Sequence, residues 1–571
     1  MTKDDIAIGN AGESFLRLLA SRGVDFLFAN SGTDFPSITE ALARARQEGF
    51  AVPRTLLVPH ENVAVGMAYG ATMVSGRAQA VMVHVNVGTA NALCGLINAA
   101  RENVPMLLAA GRTPLYESGR PGSRSLNIHW AQEMYDQGGM LREFVKWDYE
   151  LRAGAQMESV VDRALAIARS EPQGPVYLSL PREALAEAGV EPGSPTPLQN
   201  PPASSPPDPE AIERAASILA RARNPLVITA RAGREPAAVP LLAALAERFA
   251  LPVIEFRPRY LSLASTHPMH AGYEVAPWLD AADAILVLDC DVPWIPAAKS
   301  PAAGVPVIQV GSDPLFARYP MRGFRGDLTI ACTPHRALVA LSDALARCTV
   351  DPGLVAQRRA RIEAAGRERR AALEHQVRAA RSSSTMGMAW VSRALSEAVS
   401  RAGAGDAIVV NEYSLVAAAA NLTLPGSYFG SSPVGGLGWG LPAALGAKLA
   451  APDRLVIATL GDGSYTFANP LACHHAAAMH GLPVLTVVMN NRGYGAVDRA
   501  TRAMYPQGIA AKQGIPLVSL EPPPRYDAVI AACGGYGERV VEAEALPAAL
   551  DRAIRAVREE RRQALLDVSC V

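Results

Sequence analysis

The chain has 571 residues, a formal net charge of zero and a pI of about 7.2, so neither nucleic acid nor an anionic membrane is expected as a partner. Hydrophobic residues make up 49% and charged residues 19%, which excludes general disorder and leaves material for about three or four domains. No apolar run approaches the ~18 residues of a membrane helix, and residues 1–10 contain no hydrophobic signal segment. The seven cysteines are scattered without Cys-x-x-Cys pairs, which predicts reduced thiols in the cytoplasm.

Short apolar strands alternate with Ala- and Leu-rich helical segments along the chain, which is typical of α/β domains with parallel sheets. The Pro-rich residues 191–210 predict a linker, and the Arg-rich residues 358–381 predict a solvated connector helix rather than a nucleic-acid patch. These breaks predict three doubly wound parallel-sheet domains, at residues 1–190, 209–350 and 385–571. The predicted strands are 26–28, 56–58, 80–85, 106–110, 176–180, 226–228, 252–254, 284–288, 307–310, 407–410, 455–460, 484–489 and 564–568.

Two segments of the first domain place polar side chains beside predicted strands. Glu61 follows an apolar run and opens an Ala/Gly-rich helix, where the helix dipole alone would stabilise it. His84 lies at the carboxyl end of a predicted strand, where open α/β sheets bind ligands, and an imidazole there could transfer a proton or hold a carboxylate. From the residue types alone, a structural role remains open for both.

A second polar group is predicted in the third domain. Gly461, Asp462, Gly463 and Ser464 follow an apolar strand and precede one Ala-rich helix predicted over residues 465–480. The glycines allow a ligand to approach the backbone, and the N-terminus of the helix offers N–H groups to an anion. The next strand delivers Asn490 and Asn491, and oxygen ligands at neighbouring strand ends suit Mg²⁺ together with phosphate oxygens. The pattern therefore predicts a diphosphate–metal site.

Residues 461–463 and Asn490-Asn491, with Glu61 upstream, resemble the thiamine-diphosphate motif of the pyruvate decarboxylase and acetolactate synthase superfamily. The resemblance covers essentially the whole chain and implies pyrimidine-binding, central and diphosphate-binding domains, in that order. It also implies thiamine diphosphate and Mg²⁺ as cofactors, and a homodimer or homotetramer whose active site crosses the subunit interface. The wider spacing of Asp462 and Asn491 in this chain predicts a short insertion near Asn469-Pro470.

The same resemblance implies a role for each matching position. Glu61 would hydrogen-bond the aminopyrimidine ring, so that the cofactor can remove its own thiazolium C2 proton. Leu437 would wedge between the two cofactor rings, and the carbonyl of Gly435 would accept the 4′-amino group. The implied metal ligands are Asp462, Asn491 and the carbonyl of Gly493. The other implied contacts of the diphosphate are Asn411, Glu412, Tyr413, Gly461, Gly463, Ser464 and Tyr494.

Within the superfamily, several segments resemble benzoylformate decarboxylases. Residues 84–91 resemble a segment that carries a catalytic His there, and residues 30–33 resemble a turn that ends in a substrate-binding Ser. These likenesses imply catalytic roles for His84 and Thr33. His267 matches a second acid–base group of those enzymes, although many relatives carry His-Pro without that role.

The resulting prediction is a thiamine-diphosphate- and Mg²⁺-dependent lyase that decarboxylates a 2-oxo acid or joins its product to a second carbonyl. An acetolactate-synthase-like condensation, a 2-hydroxyacyl-CoA lyase and a non-catalytic ligand-sensing protein remain as alternatives. FAD, which acetolactate synthases often bind, is not expected because residues 225–332 contain no convincing flavin signature. The presence of Glu61, Asp462 and Asn491 argues against a sensor without catalysis.

Overall fold

The structure is a computed structural model that describes residues 9–189, 196–383 and 385–571. Residues 1–8, 190–195 and 384 lie outside the described part, including the first five residues of the predicted linker. Three six-stranded sheets run through the chain, and each lies inside one of the three predicted domains, whose boundaries stay predictions. The predicted α/β class with three parallel sheets is confirmed. Within the described ranges, no helix combines the length and apolar character needed to cross a membrane.

The first sheet is buried against helices on both faces. Its strands are β1 (Phe26–Ala29), β2 (Arg54–Leu57), β3 (Gln79–Val83), β4 (Met106–Arg112), β5 (Asp148–Glu150) and β6 (Val176–Pro181). They pair in parallel in the order β2-β1-β3-β4-β6-β5, and β3 and β4 are buried along their whole length. The helices are α1 (Ala11–Ser21), α2 (Pro36–Glu48), α3 (Glu61–Ser75), α4 (Val85–Arg101), α5 (Ile128–Ala131), α6 (Met157–Arg169) and α7 (Arg182–Ala186).

The central sheet has the same architecture. Its strands are β7 (Pro225–Thr229), β8 (Val253–Glu255), β9 (His270–Gly272), β10 (Ala284–Leu288), β11 (Val307–Gly311) and β12 (Leu328–Ala331). They are ordered β12-β11-β10-β7-β8-β9. The helices are α8 (Pro209–Arg221), α9 (Ala238–Phe249), α10 (Ala276–Leu279) and α11 (Pro334–Arg347).

The predicted connector forms a single helix, α12 (Pro352–Ser382), but part of it is docked rather than solvated. Arg358 is 2% exposed, and its guanidinium donates to the carbonyls of Leu219 and Phe249 near the ends of α8 and α9. Carbonyls at helix C-termini lack intrahelical partners and attract a cation. Ile362 also packs into the central core, so α12 is part of the central domain's surface.

The third sheet carries the second predicted polar group. Its strands are β13 (Ile408–Glu412), β14 (Tyr428–Gly430), β15 (Val456–Gly461), β16 (Leu485–Asn490), β17 (Tyr536–Val540) and β18 (Ala564–Ser569). They are ordered β14-β13-β15-β16-β18-β17. The helices are α13 (Met388–Arg401), α14 (Gly440–Ala450), α15 (Asp462–Phe467), α16 (Pro470–His480), α17 (Gly495–Met504), α18 (Ile509–Gln513), α19 (Tyr526–Ala531) and α20 (Leu546–Arg558).

The single helix predicted over residues 465–480 is wrong, because two helices, α15 and α16, occupy this segment. Asn469 between them has a φ of 53°, in the left-handed region that Asn tolerates better than most residues. Pro470 restricts the residue before it and cannot donate a backbone hydrogen bond, so the helix ends and restarts here.

The first and third domains pack together through α3 and α14. A Cβ atom on Gly70 would lie 1.9 Å from the Ala443 carbonyl oxygen, and one on Gly446 would lie 1.8 Å from the Met67 carbonyl oxygen. Glycine therefore allows the two helix backbones to touch. One buried apolar cluster continues across this contact from one domain into the other.

Candidate active site

The carboxyl ends of β15 and β16 bring Asp462, Asn491 and Gly493 together. The two strands are parallel neighbours, so the residues that follow them meet at one edge of the sheet. The Asp462 side chain is buried, and its Oδ2 accepts a hydrogen bond from the Gly493 N–H at 3.0 Å. Asn490 instead donates to Asp567 Oδ1 at 2.8 Å. Of the Asn pair, Asn491 therefore faces Asp462.

Three oxygen atoms converge in this group. The side-chain oxygen of Asn491 lies 3.0 Å from Asp462 Oδ1 and 2.8 Å from the Gly493 carbonyl oxygen. Octahedral Mg²⁺ with oxygens at 2.0–2.1 Å holds adjacent ligands about 2.9 Å apart. Both distances match the spacing of adjacent ligands in such an octahedron. With its amide rotated, Asn491 Nδ2 donates to the same two oxygens and satisfies both contacts without a cation. The orientation with the oxygen inward suits a site in which a cation lies between the three groups.

Burial raises the pKa of Asp462, against several backbone hydrogen bonds that lower it. A positive partner would favour the ionised form of this buried carboxylate. A divalent cation between the three oxygens would supply that partner. The donor set therefore fits a hard metal ion.

Glu412 holds the glycine-rich loop that precedes α14. Its carboxylate is 1% exposed and accepts hydrogen bonds from the N–H groups of Gly438 and Gly440, both at 2.7 Å. Burial outweighs these bonds, and a further one from the Ser464 side chain, and raises the pKa of Glu412 to about 7. Leu437 lies next to the loop residues that Glu412 fixes and is partly exposed. Glu412 therefore braces the loop that was predicted to contact the cofactor.

The first domain contributes to the same loop. Asn98 of α4 donates from Nδ2 to the Gly436 carbonyl at 2.8 Å. Gly435 beside it has a φ of 70°, a conformation that favours glycine. The position predicted to present its carbonyl to the cofactor is thus exposed and has a backbone conformation that few other residues adopt.

The other predicted diphosphate neighbours surround the ends of β13 and β15. Asn411 is engaged internally, since its Nδ2 donates to the Tyr428 hydroxyl and its Oδ1 accepts from Leu415 N–H. Tyr413 is half exposed, has a φ of 65° and donates to the Ser432 carbonyl. Both residues line a cavity of about 960 Å³ that reaches into the central domain.

Tyr494 covers the turn after β15. A Cβ atom on Gly463 would lie 3.1 Å from the Tyr494 ring, so a larger residue there would require the ring to shift by a few tenths of an ångström. Gly461 is the last residue of β15, and a Cβ atom there would meet nothing within 4 Å. The predicted motif residues 461–464 and Tyr494 are therefore gathered around Asp462.

The second half of the site lies in the first domain. Glu61 is the first residue of α3 and is 8% exposed, and its Oε2 accepts a hydrogen bond from Asn91 Nδ2 at 3.1 Å. A Cβ atom on Gly88 would come within 3.4 Å of Glu61 Oε1. Asn91 and Gly88 belong to α4, the helix that starts beside His84. The predicted Glu61 and His84 are thus brought to one place.

His84 is paired with an aspartate that sequence reasoning missed. Its Nδ1 lies 2.6 Å from Oδ1 of Asp34, and this hydrogen bond is the main cause that raises the pKa of His84. The signal available in the sequence was an acidic residue directly after Thr33, in the turn that follows β1. Thr33 itself is exposed in that turn.

His267 is placed elsewhere in the chain. Its Nδ1 accepts a hydrogen bond from the Met269 N–H at 3.2 Å, and its Nε2 lies 3.7 Å from Glu247 Oε2, both in the central domain. Burial lowers the pKa of His267. No hydrogen bond among the described residues joins it to His84, so its catalytic role stays a prediction.

Glu61 and His84 form one polar group, and Asp462 and Asn491 form another. Among the described ranges, no hydrogen bond connects Glu61 or His84 with Asp462 or Asn491. Each group makes its polar contacts with residues of its own domain.

Comparison with known proteins assigns these domains. Family models for thiamine pyrophosphate enzymes match residues 9–140 (N-terminal TPP binding domain), 212–341 (central domain) and 411–568 (C-terminal TPP binding domain). Benzoylformate decarboxylase from Pseudomonas aeruginosa is 27% identical over 84% of this chain and 85% of its own length. A protein of the same organism, named as a probable 2-ketoarginine decarboxylase, is 30% identical over 85% of this chain and 83% of its own. Acetolactate synthases also match.

Solved structures share the whole fold. The thiamine diphosphate-dependent 4-hydroxybenzoylformate decarboxylase of Rhodococcus jostii superposes with a TM-score of 0.77, covering 98% of this chain and 99% of that one at 23% identity. Together with the family matches, this confirms the superfamily that the sequence motifs predicted. The chain belongs to the thiamine pyrophosphate enzyme family and is a thiamine-diphosphate-dependent enzyme.

Proposed function

We propose that this enzyme decarboxylates a 2-oxo acid with thiamine diphosphate and Mg²⁺. The observation that carries the proposal is the convergence of oxygens from Asp462, Asn491 and Gly493 at the spacing of Mg²⁺ ligands. These residues would hold the metal, and the metal would bind the diphosphate. When bound, thiamine diphosphate supplies the electron sink that carbon–carbon bond cleavage at a 2-oxo acid requires.

The residues of the first domain supply proton chemistry. Glu61 is buried, and its hydrogen bond from Asn91 leaves carboxylate oxygens free to share a proton with the aminopyrimidine ring. His84, whose Nδ1 is occupied by Asp34, would exchange a proton at Nε2 with the substrate carbon or hold the substrate carboxylate. Thr33, exposed in the turn beside Asp34, is proposed as a substrate contact.

We further propose that two subunits complete each active site. Exposed apolar side chains follow both half-sites along the chain, and surface patches of this kind mark interfaces. Those after β4 and after β16 are Leu115, Tyr116, Leu126, Ile128, Trp130, Val497, Met504, Tyr505, Ile509 and Leu517. A second copy would cover them and bring its Glu61 to the Asp462 group. All seven cysteines are free thiols, which supports a reducing compartment such as the cytoplasm.

A panel of aliphatic and aromatic 2-oxo acids tests the reaction. The purified enzyme with thiamine diphosphate and Mg²⁺ is expected to release CO₂ and an aldehyde from at least one of them, followed by CO₂ assay and product identification. An acyloin or acetohydroxy acid as the main product would move the assignment to carboligation. No turnover of any member, with the cofactor bound, would overturn the assignment to 2-oxo acids.

Glu61→Gln separates a catalyst from a ligand sensor. A catalyst loses nearly all turnover in this variant, because the amide cannot share the proton that activates the cofactor, while thiamine diphosphate still binds. Cofactor binding by calorimetry provides the control. Turnover within about twofold of the wild type would contradict the role of Glu61.

A further inference from the structure

Asp34 lies in the turn after β1 and contacts both His84 and the residue that follows it. Its side chain is 2% exposed. One carboxylate oxygen lies 2.6 Å from His84 Nδ1, and the other accepts a hydrogen bond from the Val85 N–H at 3.1 Å. Both oxygens are therefore committed to the segment that starts α4.

Two glycines leave the space that the Asp34 carboxylate and the His84 ring occupy. A Cβ atom on Gly111 would lie 1.6 Å from Asp34 Oδ2, and one on Gly32 would lie 2.2 Å from His84 Nδ1. No larger residue could stand at either position without moving the carboxylate or the ring. Val85 has a φ of 33°, a conformation that is rare for a β-branched residue and common near functional sites. The backbone strain at Val85 coincides with its hydrogen bond to Asp34.

The hydrogen bonds define which ring nitrogen of His84 carries the proton. An ionised carboxylate only accepts, so Nδ1 must be the protonated nitrogen in the neutral ring. The other nitrogen, Nε2, lies 3.3 Å from Gln132 Nε2, which can donate to a lone pair there. Gln132 Oε1 has no hydrogen-bond partner in the described part of the chain, so the amide can rotate and accept when Nε2 is protonated.

We propose that Asp34 is a positioning residue for the reaction: it holds His84 in the Nδ1–H tautomer, so that Nε2 is the atom that exchanges the proton. This inference rests on the proposed function, in which His84 moves a proton. Gln132 accommodates both states of Nε2. The arrangement corresponds to the carboxylate–imidazole pairs in which a buried Asp orients a catalytic His.

Several charged groups face His84, and their balance determines its protonation. Asp34 from the β1 turn and Glu61 from α3 raise the pKa of His84, while burial lowers it. His129 of α5 also lies near, but burial and the charges of Arg182 and Arg124 lower its own pKa. His84 is therefore expected to keep its proton to a higher pH than a free histidine.

Asp34→Asn tests the inference with a specific expected change. The Val85 N–H needs an acceptor, so the amide oxygen should turn to it and the amide NH₂ should face His84 Nδ1. That nitrogen must then accept, which converts the neutral ring to the Nε2–H tautomer and lowers its pKa. The measurement is the ¹⁵N shifts of histidine-labelled holoenzyme across a pH titration, with the His84 signals assigned by their loss in His84→Gln.

Kinetics complete the test. We expect kcat of Asp34→Asn to fall about 100-fold and its pH profile to shift to lower pH, with the Kd for thiamine diphosphate unchanged. Glu40→Gln, which removes an exposed carboxylate from the helix that follows, serves as the matched control and should change neither readout.

Two outcomes would overturn the inference, and they are distinguishable. An Nε2–H tautomer of His84 in the wild type rejects the role of Asp34, even if the variant does not fold. A tautomer that changes in Asp34→Asn without any loss of kcat shows that Asp34 orients His84 but that His84 moves no proton, which rejects that part of the proposed function. Absence of all turnover in the wild type rejects the proposed reaction itself and leaves the tautomer result standing.

Discussion

Glu412 is a buried carboxylate whose protonation is coupled to folding. Burial raises its pKa from 4.5 to about 7, so the native state keeps a proton that the unfolded chain releases between these values. Stability therefore falls as pH rises through this window, by about 3 kcal/mol at about 1.4 kcal/mol per pKa unit. In Glu412→Gln this contribution is absent at every pH.

Melting temperatures at pH 5 and pH 8 measure the effect. For each protein, the melting temperature at pH 8 is compared with that at pH 5. The decrease is expected to be larger in the wild type than in Glu412→Gln. Equal decreases in melting temperature in the two proteins would show that the protonation state of Glu412 does not change between pH 5 and pH 8. The same variant should weaken cofactor binding, because Gln offers one acceptor where Gly438 and Gly440 need two.

Asp462 supplies the only formal charge among the three converging oxygens. Asp462→Asn keeps the shape but removes that charge, so the Kd for thiamine diphosphate is expected to rise at least about tenfold, or about 1.4 kcal/mol. Added Mg²⁺ should partly restore binding, since metal and diphosphate bind together. Calorimetry at several Mg²⁺ concentrations, with the wild type stripped by EDTA for comparison, checks this. A Kd that is independent of both Mg²⁺ and the substitution would contradict the metal site.

Individual residues also show which parts of the site the sequence motifs predict and which they do not. Asp462 and Asn491 could be predicted to lie close together because each directly follows a strand, whereas Glu61 was singled out by the family resemblance. The pairing of Asp34 with His84 could not be predicted, because it depends on the adjacency of β1 and β3, and chain order does not say which strands are neighbours. Local pattern identified the residues with obvious chemistry, and tertiary pairing identified the residue that orients one of them.

Among the secondary-structure elements, the strands that the sequence did not predict have the same kind of location in their sheets. β5, β9, β12, β14 and β17 all lie at an edge of their sheet, whereas the thirteen predicted strands include every interior one. Interior parallel strands are buried on both faces and read as continuous apolar runs. Edge strands such as β5, with the sequence Asp-Tyr-Glu, are short and polar and give no such signal.

The close contact between α3 and α14 could not be predicted from the sequence either, because it depends on glycine having no Cβ atom. Gly446→Ala would bring a methyl group to 1.8 Å from the Met67 carbonyl oxygen, so the helices must separate. We expect a loss of several degrees in melting temperature and weaker cofactor binding. Gly405→Ala, where a Cβ atom meets nothing within 4 Å, is the control and should be neutral or slightly stabilising. A Gly446→Ala variant as stable as the control would contradict this packing.

At the scale of the molecule, the central domain is tied to the first by buried charge. Glu102, at the end of α4, lies 3.5 Å from Arg259, which also pairs with Asp291. Arg231 pairs with Asp289 at 2.8 Å beside them. These groups follow β7, β8 and β10, near the point where the strand order of the central sheet reverses. The division into three domains could be predicted from composition breaks, whereas this attachment could not.

The most direct test of a thiamine diphosphate centre shared between subunits is complementation. Glu61→Gln damages one half-site and Asp462→Asn the other, so each variant alone should be nearly inactive at concentrations of thiamine diphosphate and Mg²⁺ too low to restore binding to Asp462→Asn. If each centre combines the first domain of one chain with the third domain of another, a mixed dimer contains one centre with both wild-type residues. Co-expressed, doubly tagged and purified mixed dimers are expected to recover up to about half of the wild-type turnover per dimer. Mixed dimers as inactive as the single variants would show that each centre is built within one chain.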